Sequence, residues 1–137
     1  MGQAELSGSI VFGPSAGGSG AFPSSTDTIQ LETNPSPKQF NAATGTLSRQ
    51  LNSPSAYLTL TGVGTTDTVQ QCGLLYFRCD SGIKLRLTFT DPAGGADIVS
   101  EIPVAGTLVL EPPSNGPIKL LEAKGSARIE YGASGLI

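Results

Sequence analysis

One stretch of the sequence alternates strictly between apolar and polar residues. Between Ile83 and Thr90, every second side chain is apolar and the others are Lys, Arg or Thr. Successive side chains of a β-strand point to opposite faces, so this period of two is typical of a strand with one buried and one solvated face. We expect four residues to face a core, namely Ile83, Leu85, Leu87 and Phe89. A shift of one residue would bury two charges, which fixes the register.

The rest of the chain reads as short strands separated by turns. Gly and Pro together make up 28 of 137 residues (18 + 10), about twice their usual share of about 12%. The sequence predicts eight to nine strands and no substantial helix, with a weak helical turn over Thr46–Leu51. The strand candidates are 6–12, 27–32, 57–61, 68–79, 83–90, 98–104, 106–110, 118–123 and 126–131. Turns are expected at Asp80–Gly82 and Asp91–Gly95. The expected fold is therefore all-β, an antiparallel β-sandwich or jelly roll.

The length of 137 residues predicts a single domain overall. Residues 1–55 are rich in Gly, Ser and Pro, above all at 13–20 and 34–37, where regular ladders are disfavoured. We expect this region to be an extended arm with one or two strands. Residues 56–137 are expected to form the main β-sandwich body.

Charge and hydropathy exclude two classes of partner. The net charge is −3, and the eight basic residues are spread along the chain, whereas nucleic-acid affinity depends on clustered Lys and Arg. No apolar run approaches the 18 or more residues that a membrane-spanning helix needs, and the N-terminus does not resemble a signal peptide. We therefore expect neither a nucleic-acid nor a membrane partner, and synthesis in the cytoplasm.

The residues needed for common catalytic sites are missing. The chain has no His and no Trp, so the usual Ser or Cys triads cannot form, and no aromatic platform supports a paired-carboxylate sugar cleft. The Asp91–Asp97 loop lacks the spacing of a calcium-binding loop and is interpreted as a connecting turn. Cys72 and Cys79 would lie about 23 Å apart along one strand, which predicts two free thiols. We expect no catalytic residue, no cofactor and no metal.

Two groups of residues are candidates for contacts with other proteins. The first group consists of apolar side chains set among flexible residues with little local core to enter, namely Ile10, Val11, Phe12, Phe22 and Phe40. The second is the single basic cluster, Arg78, Lys84 and Arg86, which the strand pattern places on or near one sheet surface. Such cations either meet an acidic partner surface or keep a strand face soluble.

Two segments, Gly73–Leu87 and Lys119–Tyr131, resemble stretches of small structural proteins from tailed bacteriophages. The resemblance covers about the last 65 residues and rests on a strand-turn-strand pattern followed by the Gly-Ser-Ala-Arg-Ile-Glu-Tyr ending. It implies a virion component, either a capsid decoration (cement) protein or a tail or head-to-tail protein. The implied partners are the major capsid protein or other virion proteins, and the implied state is a homo-oligomer, with a trimer expected from threefold positions on shells.

A different class of function also fits an all-β chain. Sandwich domains commonly serve as carbohydrate-binding or receptor-binding modules. Sugar stacking needs exposed aromatic rings, and the chain offers three Tyr and five Phe residues. This alternative predicts glycan binding by the isolated chain.

Overall fold

The computed structural model describes residues 2–12, 27–33 and 38–137. These residues contain strands and no helix, and every pairing between strands is antiparallel, which confirms the predicted all-β class. In chain order, the strands are β1 (Gly2–Ala4), β2 (Ser7–Phe12), β3 (Asp27–Glu32), β4 (Lys38–Phe40), β5 (Ala42–Ala43), β6 (Leu47–Thr59), β7 (Gln71–Phe89), β8 (Ile98–Leu110) and β9 (Ile118–Leu136).

The chain divides into two compact units. The smaller unit spans residues 5–37 and holds β2 and β3, which pair with each other. The larger unit contains residues 2–4 together with 38–137 and holds all the other strands. Residues 38–55, which the sequence analysis places in the arm, therefore belong to the larger unit.

The larger unit is built on one curled, half-barrel sheet. Its strand order is β9-β7-β8, and both β5 and β6 pair with the remaining edge of β9. The two central strands, β7 and β9, are 19 residues each, or about 60 Å if fully extended. A further two-stranded ribbon joins β1 to β4.

All four long strands are irregular at one level of the sheet, which we call the bend. Between two paired positions, β6 has four residues (54–57) where β9 has one (Lys124), and β7 has three (80–82) where β8 has one (Ala105). Next to these insertions, Gly106 and Gly125 have φ angles of 110° and 142°. Such bulges increase local twist and curvature, so the bend allows strands of this length to curl.

The bend corrects three expectations drawn from the sequence. The turn predicted at Asp80–Gly82 is wrong, because β7 runs through it as a bulge. The Oδ1 atom of Asp80 accepts a hydrogen bond from the Arg128 N–H at 3.0 Å, and Ser81 Oγ donates to the Ser126 carbonyl at 3.3 Å. These bonds satisfy backbone groups of β9 that the bulge leaves without a ladder partner. Likewise, 98–104 with 106–110 and 118–123 with 126–131 are not separate strands but parts of β8 and β9.

The helical turn predicted over Thr46–Leu51 is also wrong. Leu47–Leu51 lie in β6, and Leu51 is fully buried opposite Ala127 of β9. Tertiary pairing overrides a weak local preference here, as it often does for short segments.

The core lies on one face of the curled sheet. Leu85 and Leu87 are fully buried and Ile83 is 5% exposed, while Lys84 on the opposite face is exposed. The predicted facing of this strand is therefore confirmed. The loop between β6 and β7 caps one end of the core through the fully buried side chains of Leu60, Val63 and Val69.

One buried tyrosine joins this capping loop to the sheet. The hydroxyl of Tyr131 donates to the Thr61 carbonyl at 2.8 Å and lies 3.2 Å from the Thr61 hydroxyl. Asp67 organises the loop from within by accepting hydrogen bonds from the backbone N–H groups of Gly62 and Thr68 at 2.7 and 2.9 Å. These two N–H donors hold the pKa of Asp67 below its ordinary value.

Candidate functional site

The ribbon of β2 and β3 has one apolar and one polar face. Its register places Ile10 directly opposite Ile29 and Gly8 opposite Leu31. Residues that face each other in an antiparallel pair share one side of the ribbon. The other side carries mostly hydroxyl, amide and carboxylate groups, from Ser7, Ser9, Thr28, Gln30 and Glu32, with Val11 among them.

The apolar face of this ribbon is open to solvent. Ile10 is 45% exposed and its partner Ile29 is 50% exposed, and Val11 on the polar face is 59% exposed. A two-stranded ribbon by itself is only marginally stable in water. Exposed apolar residues that lie together in such a ribbon are typical of a surface that is covered in an assembly.

The remaining apolar candidates differ in their placement. Phe12 ends β2, where its backbone lies opposite Asp27, and Phe22 lies outside the described residues. Phe40 belongs to the larger unit, in β4, where its ring packs over Gly2 so closely that a Cβ on Gly2 would lie 2.5 Å from the ring. The structure therefore gives Phe40 an intrachain partner and groups Ile10 with Val11 in the ribbon.

The basic candidates lie on the polar outer face of the curled sheet. Arg86 forms a bidentate ion pair with Glu122, with Nε–Oε1 and Nη2–Oε2 distances of 2.9 and 2.7 Å. This hydrogen-bonded carboxylate raises the pKa of Arg86. The register also places Glu101 opposite Arg86 on its other side. Arg86 is thus engaged within the sheet, and its charge is balanced by the two flanking strands.

Tyr57 extends this network across the sheet. It lies in the inserted segment of β6, and its ring centroid is 4.0 Å from Arg86 Cζ and 4.8 Å from Lys124 Nζ. Its hydroxyl donates to Glu101 Oε1 of β8 at 2.8 Å. Desolvation, followed by this hydrogen bond, raises the pKa of Tyr57, and the same hydrogen bond lowers the pKa of Glu101. The cluster therefore links β6, β7, β8 and β9 on one surface.

Arg78 and Lys84 share the outer face with Arg86 but lie in different surroundings. Arg78 stands opposite Glu130 of β9 on one side of the bend, and Glu130 accepts a hydrogen bond from the Tyr76 hydroxyl at 2.9 Å. Lys84, on the other side of the bend, stands directly opposite Lys124. Like charges at opposed positions destabilise a strand pair, but the carboxylate of Glu101 on β8 interacts with both lysines, and their charges help to lower its pKa.

The outer face has a depression at the bend, with a volume of about 600 Å³. Its lining comes from all four long strands and is mostly polar, including Ser48, Arg78, Asp80, Thr107, Arg128 and Glu130. The groups present are two guanidinium groups, two carboxylates and two hydroxyls. Such a mixture can donate and accept hydrogen bonds to a polar ligand and carries no strong net charge.

The two cysteines are free and buried, as expected from the sequence. Burial raises the pKa of the Cys72 thiol to about 11, so it is protonated at neutral pH. The Cys72 thiol donates to the Leu74 carbonyl, and the Cys79 thiol donates to the Val104 carbonyl. A protonated thiol is a poor nucleophile and metal ligand.

Sequence reasoning missed several residues that shape these surfaces. The sequence predicts Ile29 in a strand but not at a contact surface, although Ile29 and Leu31 alternate with Thr28, Gln30 and Glu32, which is a usable signal. No such signal marked the four residues around Arg86, because the register of β7 and the insertion in β6 bring them together; they are Tyr57, Glu101, Glu122 and Lys124.

Within residues 2–12, 27–33 and 38–137, no group of three or more His, Cys, Asp or Glu side chains is placed to hold a metal ion. In the same described ranges, no helix is long and apolar enough to cross a membrane. Comparison of the chain with protein-family models, with curated proteins and with solved structures finds no match.

Proposed function

We propose that this chain is a non-enzymatic structural subunit of a tailed-bacteriophage virion, acting as a capsid decoration protein. The observation that carries the proposal is the ribbon of β2 and β3, whose apolar pair Ile10 and Ile29 is about half exposed in the single chain. Burial of such surface against neighbouring subunits contributes about 25 cal/mol per Å². The resemblance of residues 73–87 and 119–131 to phage structural proteins supplies the kind of assembly.

The larger unit would serve as the rigid body of this subunit. Its core is continuous along the half-barrel sheet, and the outer-face cluster around Tyr57 joins the four long strands. A body of this kind resists deformation when neighbouring subunits are displaced by pressure on a shell. The two-layer sandwich or jelly roll expected from the sequence stays a prediction, since the described strands form one curled sheet and two short ribbons.

A tail or head-to-tail role is the nearest alternative, because it would use the same ribbon and the same body in a different part of the particle. Localisation on the particle separates the two. Virions from the bacterium that carries this sequence would be purified on a density gradient and labelled with gold-conjugated antibody against the chain. Label over the head supports decoration, whereas label on the tail or neck supports the alternative. Particles that carry no label and lack the chain in a gel would overturn both.

A carbohydrate-binding function is the second candidate, and the depression at the bend favours it. Its hydroxyl, guanidinium and carboxylate groups match the hydrogen-bonding capacity of a sugar. A glycan array probed with the purified chain tests this function directly. Binding that is lost in an Arg128→Ala variant, and kept in a control Arg49→Ala variant on β6, would favour the module over the structural role.

A further inference from the structure

We infer that β2 is a self-association strand that pairs antiparallel with β2 of a second copy of this chain. The resulting sheet would have the strand order β3-β2-β2-β3, with a two-fold axis between the two β2 strands. This inference rests on the proposed assembly role and names the first partner of the ribbon.

The two edges of the ribbon differ in charge. Natural edge strands are commonly protected from pairing by charged residues or by Pro. β3 carries Asp27 and Glu32 at its two ends, whereas β2, from Ser7 to Phe12, has no charged residue and no Pro. Within the described residues, β2 pairs only with β3. Its other edge is therefore the unprotected one.

The other free edges among the long described strands are protected. β8 contains Glu101 and Pro103 on the edge strand of the larger sheet, and β6 contains Arg49 and Pro54. Proline cannot donate a ladder hydrogen bond, which interrupts strand addition. Among the described strands longer than three residues, β2 therefore combines β-branched residues with an edge free of charge and proline.

A two-fold pairing of β2 keeps the two faces of the ribbon intact. Residues an even number of positions apart share a face of a strand. Any register that sets a residue of β2 opposite its own copy therefore keeps the apolar side chains of both copies on the same side of the sheet. The register centred on Ile10 places the two Ile10 side chains beside each other. A row of four isoleucines then crosses the sheet, with Ile29 at each end. Side chains that pack against each other across neighbouring strands stabilise a sheet.

The pairing would also make the ribbon more stable. A sheet of three or more strands with a hydrophobic face can be independently stable, whereas a two-stranded ribbon is marginal. Two-fold contacts are self-complementary and are the commonest in homo-oligomers. They join chains in pairs, so this inference predicts an even number of copies, unlike the trimer expected from shell symmetry.

Charge placed on the two-fold axis tests the register. Ile10→Lys and Ile10→Asp would each set two like charges side by side, and we expect each variant alone to sediment at half the mass of the wild-type oligomer. An equimolar mixture of the two variants pairs Lys with Asp and should regain the wild-type mass. A control variant, Gln30→Lys, places a charge on the polar face of β3 and should leave the wild-type mass unchanged.

A cysteine variant gives an independent readout if the charged variants disturb the ribbon. Directly opposed Cβ atoms lie about 4.5–5.5 Å apart, close to the reach of a disulfide. Ile10→Cys, oxidised with copper–phenanthroline, should give a covalent dimer on a non-reducing gel, and Gln30→Cys should give much less. The native cysteines are buried, which keeps the background low.

The outcomes separate this inference from the proposed function. A wild-type chain that sediments as a monomer, a mass unaffected by both charged variants, or a mixture that fails to recover would overturn β2 pairing. None of these results bears on immunogold labelling of virions, which tests the structural role. Label on particles together with a monomeric chain in solution would leave the function standing and remove the self-association.

Discussion

Substitution of Gly125 by Ala tests whether the bend is a built-in feature of the fold. Gly125 lies in β9 at the bend and has a φ of 142°, a region that residues with a Cβ rarely adopt. A Cβ at this position would lie 2.8 Å from Cγ2 and 3.3 Å from Cα of Ile83. Ile83 is only 5% exposed and has little room to move. The substitution therefore combines backbone strain with overpacking.

The expected cost follows from these two effects. A backbone held in a disfavoured region costs about 1–3 kcal/mol, and an extra methyl group in a packed core costs about 1–3 kcal/mol. Replacement of Gly by Ala also restricts the unfolded chain, which by itself raises the free energy of unfolding by about 0.4–1 kcal/mol. We expect Gly125→Ala to lower the free energy of unfolding by about 3 kcal/mol, within a range of about 1–6 kcal/mol.

Gly82→Ala is the matched control, because Gly82 lies in the same bend on β7. A Cβ there would have no heavy atom within 4 Å, and its φ is not in the positive region. The control should change the unfolding free energy by no more than about 1 kcal/mol, and in the stabilising direction. Urea unfolding followed by circular dichroism and by tyrosine fluorescence measures both variants. Equal stabilities for the two would refute the view that Gly125 is required by the bend.

Three further predictions concern the core, the capping loop and acid stability. Tyr131→Phe removes a buried hydroxyl and should cost about 1–2 kcal/mol in urea unfolding, whereas Tyr57→Phe on the surface should cost clearly less; equal costs would contradict the assigned burial. Leu85→Asp should leave the chain unfolded by circular dichroism while the neighbouring Lys84→Asp folds, and a folded Leu85→Asp would overturn the facing of β7. Asp67 has a lowered pKa in the folded state, so its carboxylate stabilises the fold above the ordinary value of 3.8, and this contribution is lost as the pH falls through the folded pKa. The stability difference between wild type and Asp67→Asn should therefore shrink on acidification, and a difference independent of pH would exclude this role.

The sequence predicted the strands better than their connections. Asp27–Glu32 coincides with β3, and the alternation from Ile83 correctly assigned the buried face of β7. The sequence predicts a turn at Asp80–Gly82 where the structure has a bulge, because Asp, Ser and Gly favour both structures. The choice between them depends on whether the neighbouring strands continue. β9 does so here, and its Arg128 N–H binds Asp80, a contact between residues 48 positions apart that no local pattern contains.

The candidate surfaces were predictable only where they depend on local alternation. Ile10 and Val11 are exposed in a strand, in keeping with apolar residues that have no local core to enter. Phe40 looked similar in sequence, but its ring packs over Gly2, which pairs with it across the β1–β4 ribbon. The environment of Arg86 depends on the register of three strands and on the insertion in β6 that carries Tyr57. Such long-range pairings follow from the whole fold and cannot be inferred from one segment.

The bend also limits how the length of this chain can vary. Cys79 and Ile83 both face the core, and the four-residue step between them preserves the odd-even order of β7. Deletion of one residue from 80–82 would turn Leu85 and Leu87 outward and carry Lys84 and Arg86 into the interior. Loss of two residues would keep this order and remove the insertion against β8, but it would shift β7 by two positions against β9, with which Cys79 and Lys84 are now in register. Natural variants of this protein should therefore gain or lose residues inside the long strands in twos, while single insertions accumulate in the loops between strands.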